Sequence, residues 1–261
     1  MHLACQLRPW IQTLGPEEFA RELPVILRTV SGISFTGFET ALPALLSVDA
    51  GTLRQWQADT NGIAIAAAHT GARWWDLPAP QLDALLGDLE RLTERGGDRL
   101  AVSIGKEIVD CSDADIRHAG ETLATLAERA PVEIVIHNHW WEIADDCRVL
   151  RAILAAAEGS PLRLGPDLGW VVHAGADPVA FVHEFAPLIA YTHVRDYADR
   201  GFIEIGRGAM SWPSLIAALH EIGYTDWLTA ESEFNDLWCG DPDPATSARL
   251  QFAGLATVVQ E

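Results

Sequence analysis

Long apolar runs are missing from this chain. None approaches the roughly 18 residues that a membrane span needs, and the N-terminus has no basic region followed by an apolar stretch. A soluble, unprocessed chain is expected. Cysteine is sparse as well: Cys5, Cys111, Cys147 and Cys239 are scattered without a CxxC pair, which excludes a zinc ribbon and a disulfide scaffold. That usage fits the reducing cytoplasm. Cations are the third shortage, with 18 Lys and Arg against 37 Asp and Glu and a formal charge of −19. Such a surface repels phosphate backbones and anionic lipid, so nucleic acid and membranes are set aside as partners. Nor does any linker, low-complexity tract or shift of composition divide the 261 residues, a length that one α/β barrel fills.

What the chain does have is a repeated plan. A strand over residues 2–7 precedes a helix over 17–30, a strand over 33–40 a helix near 53–58, and a strand over 63–71 a helix over 82–95. The plan continues with LAVSI (100–104) and a helix over 114–130, then the strand within PVEIVIHNHWWE and a helix over 146–157. LRLG leads to a helix near 178–185, LIAYTHVRD to FIEIGRG and a helix over 212–223, and TDWLTAESE to a last helix from about 245 to 258. Eight such units average about 33 residues, the size of a βαβ repeat. The expectation is a single (β/α)8 barrel over residues 1–261, with the C-terminal strand ends gathered at one mouth.

The strand ends carry the polar residues. They offer Glu39, His69, Lys106, His137 or His139 with Glu142, Asp167, His193 with Asp196, and Glu231. In PVEIVIHNHWWE the histidines are either core residues with backbone partners or part of a site, and Glu142 either opens the next helix or joins them. Taken as a set, Glu142, Asp167, His193 and Glu231 make an oxygen-rich group of three carboxylates and one imidazole, suited to Mn²⁺, Mg²⁺ or Co²⁺.

GPDLGWVVHAGADPVAFVHEFAPLIAYTHVRD (165–196) resembles the sugar phosphate isomerase and epimerase family of xylose isomerase-like barrels. That family shows an Asp, an Ala-Gly-x-Asp-Pro turn and then His-x-Lys-Asp. IGRGAMSWPSLIAALHEIGYTDWLTAE, GFET and the HNHxxE run extend the resemblance over most of residues 30–235. It implies a divalent metal, Mn²⁺ first and Mg²⁺ or Co²⁺ next, held by Asp167, His193, Glu231 and Glu142. Many members have a glutamate where His137 stands; the HNHxxE branch offers Glu142 instead. Trp170 stands where several members have histidine, and Arg195 replaces the lysine with a bidentate fork.

The activity so implied is isomerisation or epimerisation of a ketose or related polyol through a metal-stabilised enediolate, with Glu142 and Glu231 as the two proton carriers. The alternative on the same site is β-elimination by a keto-sugar or inosose dehydratase or lyase, toward which the HNHxxE run leans. A sugar-binding or partner barrel without turnover is the non-enzymatic alternative. Glu39, His69, Lys106, His137, His139, Trp170, Arg195 and Arg207 are expected to contact a small sugar substrate. Trp10, Trp74, Trp75, Trp140 and Trp141, also near strand ends, are candidates for stacking on it. So few cations argue against a phosphate site, and related barrels imply a homo-oligomer.

Overall fold

Strands that are apolar on both faces need helices on the outside and small or interlocking side chains within. The computed structural model, which describes residues 1–199 and 201–259, meets both needs with eight parallel strands alternating with helices. The strands are β1 His2–Gln6, β2 Gly37–Ala41, β3 Ala64–Ala72, β4 Arg99–Ile104, β5 Glu133–His137, β6 Arg163–Leu164, β7 Thr192–Val194 and β8 Trp227–Ala230. Neighbours pair in the order β6-β5-β4-β3-β2-β1-β8-β7, and the parallel bridges Leu164 to Ile189 and Asp167 to His193 close the ring. The expected (β/α)8 barrel is therefore the observed one.

Inside the ring, Ala4, Ala66, Ala67, Ala101 and Val135 leave a space that the ring of Tyr191 fills. Outside it, residues such as Phe19, Leu23, Leu27, Leu123 and Leu150 pack helices against strands. Arg99 plugs the N-terminal end. Its guanidinium donates to Glu133 at 2.8 Å and, with both terminal nitrogens, to Asp226 at 2.9 Å, and lies 5.1 Å from the Tyr191 ring centroid.

Several boundaries differ from the pattern reading by a few residues, and two of them change how the chain turns. The helix expected to stop at residue 30 runs Pro16–Ile33, so Ile33 closes it and Ser34, with φ of 95°, turns the chain into β2. The helix expected from residue 146 spans Trp140–Ala156, starting directly after the HNH turn. It is interrupted at Ala144–Cys147, where Asp145, Asp146 and Cys147 are left-handed with φ of 53°, 56° and 58°. Several short elements were not expected: helices Arg8–Leu14, Leu42–Leu46 and Leu168–His173, the 3-10 turn Lys106–Asp110, and a hairpin of Asp196–Ala198 with Gly201–Ile203. Each begins within a few residues of the end of a barrel strand, so the mouth is more structured than apolar periodicity reveals.

Candidate metal centre

His137 is the last residue of β5, His193 the middle residue of β7, and Glu231 the first after β8. Asp167 follows β6 by three residues and is pinned there by the neighbouring turn. The amide of Asn138 accepts from the Asp167 N–H at 3.1 Å and donates to its carbonyl at 3.3 Å. As N-cap of Leu168–His173, Asp167 takes the Gly169 and Trp170 N–H groups on Oδ1 at 2.8 and 3.2 Å. Oδ2 accepts from Arg195 at 2.5 Å. Gly169 is required because a Cβ there would stand 2.7 Å from Arg195 Cγ. One potential ligand atom from each of His137, Asp167, His193 and Glu231 lies within 4.8 Å of the other three, and all four residues are buried.

Charge is arranged around this group in layers. Glu231 Oε2 lies 2.7 Å from His193 Nδ1 and 3.3 Å from His137 Nε2. The other nitrogen of His193, Nε2, meets Glu39 Oε2 at 2.7 Å, and Glu39 in turn accepts from Tyr191 at 2.8 Å and from Gln6 at 3.3 Å. A carboxylate behind an imidazole in this way would fix its tautomer if a cation took the Nδ1 side from Glu231. Burial opposes a charge on His193, but Glu39 and Glu231 outweigh it and push its pKa up to about 10. Burial likewise raises Glu231, yet Arg195, His137 and His193 hold it well below the usual carboxylate range. At Asp167 burial wins and raises the carboxyl, against the pull of Arg195. Arg195 is itself fully buried, its guanidinium 3.8 Å from the Phe202 ring centroid and 4.9 Å from that of Trp170.

Residues 27–253 match the model of the xylose isomerase-like TIM barrel family. The chain belongs to that family. Among curated relatives it is 22% identical over 152 residues to an inosose dehydratase of Geobacillus kaustophilus (strain HTA426), covering 51% of this chain and 47% of that one. It is 26% identical over 162 residues to the rhizopine catabolism protein MocC of Rhizobium meliloti, covering 52% and 48%. The chain thus spans about half the length of the curated relatives it matches. A solved L-ribulose 3-epimerase superposes with a TM-score of 0.78 at 20% identity, covering 100% of this chain and 95% of that one, a likeness of fold.

The barrel places the expected site residues unevenly. Asp167, His193 and Glu231 come together, and the fourth member is His137, not Glu142. Glu142 is buried in the first turn of Trp140–Ala156, where its Oε2 accepts the His139 N–H at 2.7 Å. Burial raises its carboxyl well above the usual range. It therefore caps a helix, the first of the two readings of Glu142 in PVEIVIHNHWWE, and is not the metal ligand that the resemblance implied. Glu39 sits behind His193 rather than beside it, and Arg195 lies behind Asp167. Trp170 is buried on Arg195, and His139 stacks on Trp141 at 4.2 Å, facing the cleft. Lys106 is exposed, its ammonium 5.8 Å from the Trp140 ring centroid, and Arg207 is exposed and paired with Glu204 at 2.7 Å. Neither lines the cleft. Trp10, Trp74 and Trp75 are core residues. Asp196 organises the neighbouring loop, accepting from the N–H groups of Tyr197, Gly206, Gly208 and Met210 and from the Trp212 indole. A Cβ at Gly208 would stand 2.3 Å from its Oδ1, which accounts for the second glycine of IGRG.

The cleft above the group has a volume of about 370 Å³, and His69, His137, His139 and Glu231 face it. So do Gln6, Arg8, Ser103 and Glu233, which sequence reading missed. A signal existed for Gln6, which follows Ala4 at the period-two spacing that turns both into the barrel. Chemically the four-residue group fits a divalent cation. It is closed, anionic, converging and backed by Glu39 and Arg195. Beside it His137 Nδ1 is buried without a hydrogen-bond partner, and Arg195 Nη1, also without one, lies 3.6 Å from Glu231 Oε1. Two imidazoles with two carboxylates make a softer donor set than three carboxylates with one imidazole.

Proposed function

We propose that this barrel is a divalent-metal-dependent enzyme that removes the proton α to the carbonyl of a keto sugar or inosose. His137, Asp167, His193 and Glu231 hold the cation, and Glu231 is the base. The buried convergence of four ligand atoms within 4.8 Å at the floor of the cleft carries this reading. A bound cation supplies Lewis acidity toward the carbonyl oxygen and a template for the adjacent hydroxyl. The mixed nitrogen and oxygen donors favour Mn²⁺, Fe²⁺, Co²⁺ or Zn²⁺ over Mg²⁺, and Mn²⁺ leads.

The chain's own residues divide the work. Glu231 faces the cleft with its charge held by Arg195 and the two histidines, so it starts ionised and accepts the proton. Asp167 is engaged on both oxygens by Arg195 and a helix N-terminus, which keeps it a ligand. Glu142 is occupied with its helix cap. Glu233 is paired with Arg8 and Glu39 is engaged by His193 and Tyr191, which leaves Glu231, and a single base suffices for β-elimination, returning its proton to the departing hydroxyl on the next carbon. This supports dehydration or lysis of a keto sugar, as does the similarity to proteins named inosose dehydratase.

Isomerisation or epimerisation is the second reading, favoured by His69 and His139. Both line the cleft, and burial keeps both imidazoles neutral, with His69 held down to about 4. Such a group, on β3 or after β5, can serve as the second proton carrier. Incubating Mn²⁺-reconstituted protein with free ketoses, inososes and 3-keto-glycosides in D₂O, followed by NMR, separates the outcomes. Loss of a substituent marks a lyase, and deuterium at one carbon without loss marks an epimerase or isomerase. No bound metal by elemental analysis after Mn²⁺ reconstitution would overturn the proposal.

A further inference from the structure

The last helix, Pro244–Val258, covers the outside of the barrel, where an apolar face is expected. Ala248, Leu255 and Val258 supply one, but Ser247 and Gln251, one turn apart, are buried among them. Folds retain such local conflicts chiefly where function needs them. Gln251 uses both ends of its amide on other loops. Its Nε2 donates to the Glu231 carbonyl at 2.8 Å and to Ser232 Oγ at 3.1 Å, and its Oε1 accepts the Ile205 N–H at 3.0 Å. Glycine at 254 lets the helix come this close, because a Cβ there would stand 2.0 Å from the Ile205 carbonyl oxygen. Ser247 meets only Ser232, Oγ to Oγ at 2.9 Å. The bond to Glu231 falls where the sheet gives out. The ladder between β7 and β8 ends with Val194 opposite Ala230. Glu231 still donates its N–H to the Val194 carbonyl at 3.0 Å, but no backbone N–H among the described residues meets its own carbonyl.

We infer that Gln251 is a positioning residue for Glu231. Its amide takes the place of the next rung of the ladder and fixes the peptide from which the Glu231 carboxylate reaches His193 and His137, at 2.7 and 3.3 Å. This rests on the reading of Glu231 as ligand and base, and it extends the site to a helix outside the barrel wall. Convergence of four ligands leaves little slack, since such constellations must be held to within about 0.5 Å. The second arm of the amide serves the same end. Ile205 opens the turn whose Gly206, Gly208 and Met210 N–H groups bind Asp196, and Asp196 follows Arg195, whose Nη1 lies 3.6 Å from Glu231 Oε1. One side chain thus braces the main chain of the base against the turn that supports its neighbouring cation. Gln251 does not line the cleft, so it acts through these groups and not on a substrate.

The test is a double-mutant cycle on Mn²⁺ affinity, read by competition with a chelator, over the wild type, Gln251→Met, Glu231→Gln and the pair. Methionine keeps the length and bulk of Gln251 and removes its three hydrogen bonds. Gln251→Met should weaken Mn²⁺ binding by about tenfold or more while Glu231 is present, and should change nothing further once residue 231 is substituted. Ser247→Ala, which leaves the bond to the Glu231 carbonyl in place, should lower the melting temperature without moving Mn²⁺ affinity. Unchanged affinity in Gln251→Met, an equal loss with and without Glu231, or an equal loss in Ser247→Ala makes Gln251 a structural residue and overturns the inference alone. Wild-type protein that binds no Mn²⁺, or binds it as tightly after Glu231→Gln, overturns the metal-site reading and the inference with it. Should Gln251→Met fail to fold, Gln251→Asn is read by the same outcomes, its amide being one carbon too short to span from Ile205 to Glu231.

Discussion

At the N-terminal end of the barrel one cation, Arg99, meets two carboxylates in direct hydrogen bonds, whereas at the C-terminal end Glu39, Asp167 and Glu231 crowd around His137, His193 and Arg195. Unmatched atoms divide in the same way. Of ten buried side-chain nitrogens and oxygens without a partner among the described residues, nine belong to the C-terminal end, Arg163 Nε being the exception. Charges matched within the chain contribute stability and ask for nothing further. A crowd of carboxylates, imidazoles and a guanidinium with spare donors and acceptors is held in place by the fold and, on the proposed function, is completed from outside it by a cation and a substrate.

The comparison breaks most sharply at Glu231. On the proposed function Glu231→Gln removes both a ligand and the base and should lower turnover by about 10²–10⁴ or more, while the circular dichroism melt stays near that of the wild type. Preserved turnover would show that the base lies elsewhere. At the opposite end Arg99→Met should do the reverse. Stranding Glu133 and Asp226 should cost about 2–3 kcal/mol in urea unfolding, below the roughly 3–5 typical of a fully buried pair because both carboxylates are about a third exposed. Mn²⁺ affinity should not move. Glu39→Gln lies between the two. Losing the carboxylate behind His193 should weaken Mn²⁺ binding by about 10–100-fold with little change in the melt, read by competition with a chelator.

Apolar periodicity made the barrel legible, and position made Asp167, His193 and Glu231 legible as polar residues, because each stands where an apolar run in the sequence gives way to polar residues. The choice between His137 and Glu142 turned on where β5 ends. Val135 packs inside the ring, so His137, two residues on, faces the same way, while Glu142 falls beyond the turn on a helix. HNHWWE shows no break between strand and helix, so sequence alone did not fix that turn. Glu39 was legible as a strand-end acid but not as the partner of His193. That pairing spans 154 positions and depends on Tyr191 and Gln6 orienting the carboxylate from either side.

Acid sharpens the comparison through His69. In the cation-free protein burial keeps this imidazole neutral down to about 4, whereas the unfolded chain protonates near pH 6.5. Between those values the unfolded state binds more protons, so the contribution of His69 is complete above about pH 6.5 and is lost as pH falls toward 4. A His69→Asn variant should therefore lose less thermal stability than the wild type over that interval, by a few degrees in Tm. Parallel curves would mean that His69 titrates normally.

The smallest effect is expected at Glu142. Its carboxyl is buried and holds its proton well above the usual range, so glutamine reproduces both its neutral form and the oxygen that accepts the His139 N–H. Glu142→Gln should leave Mn²⁺ affinity unchanged. The wild type should also lose stability relative to this variant as pH rises. A carboxyl whose folded pKa is raised contributes fully below the unfolded value and is lost as pH climbs through the folded one, whereas glutamine does not titrate. Melting both proteins from pH 5 to 9 with and without Mn²⁺ reads the two effects together. If the variant releases its metal, Glu142 belongs to the centre, and the division between a cap-bound glutamate and a cation-bound histidine at the end of β5 is wrong.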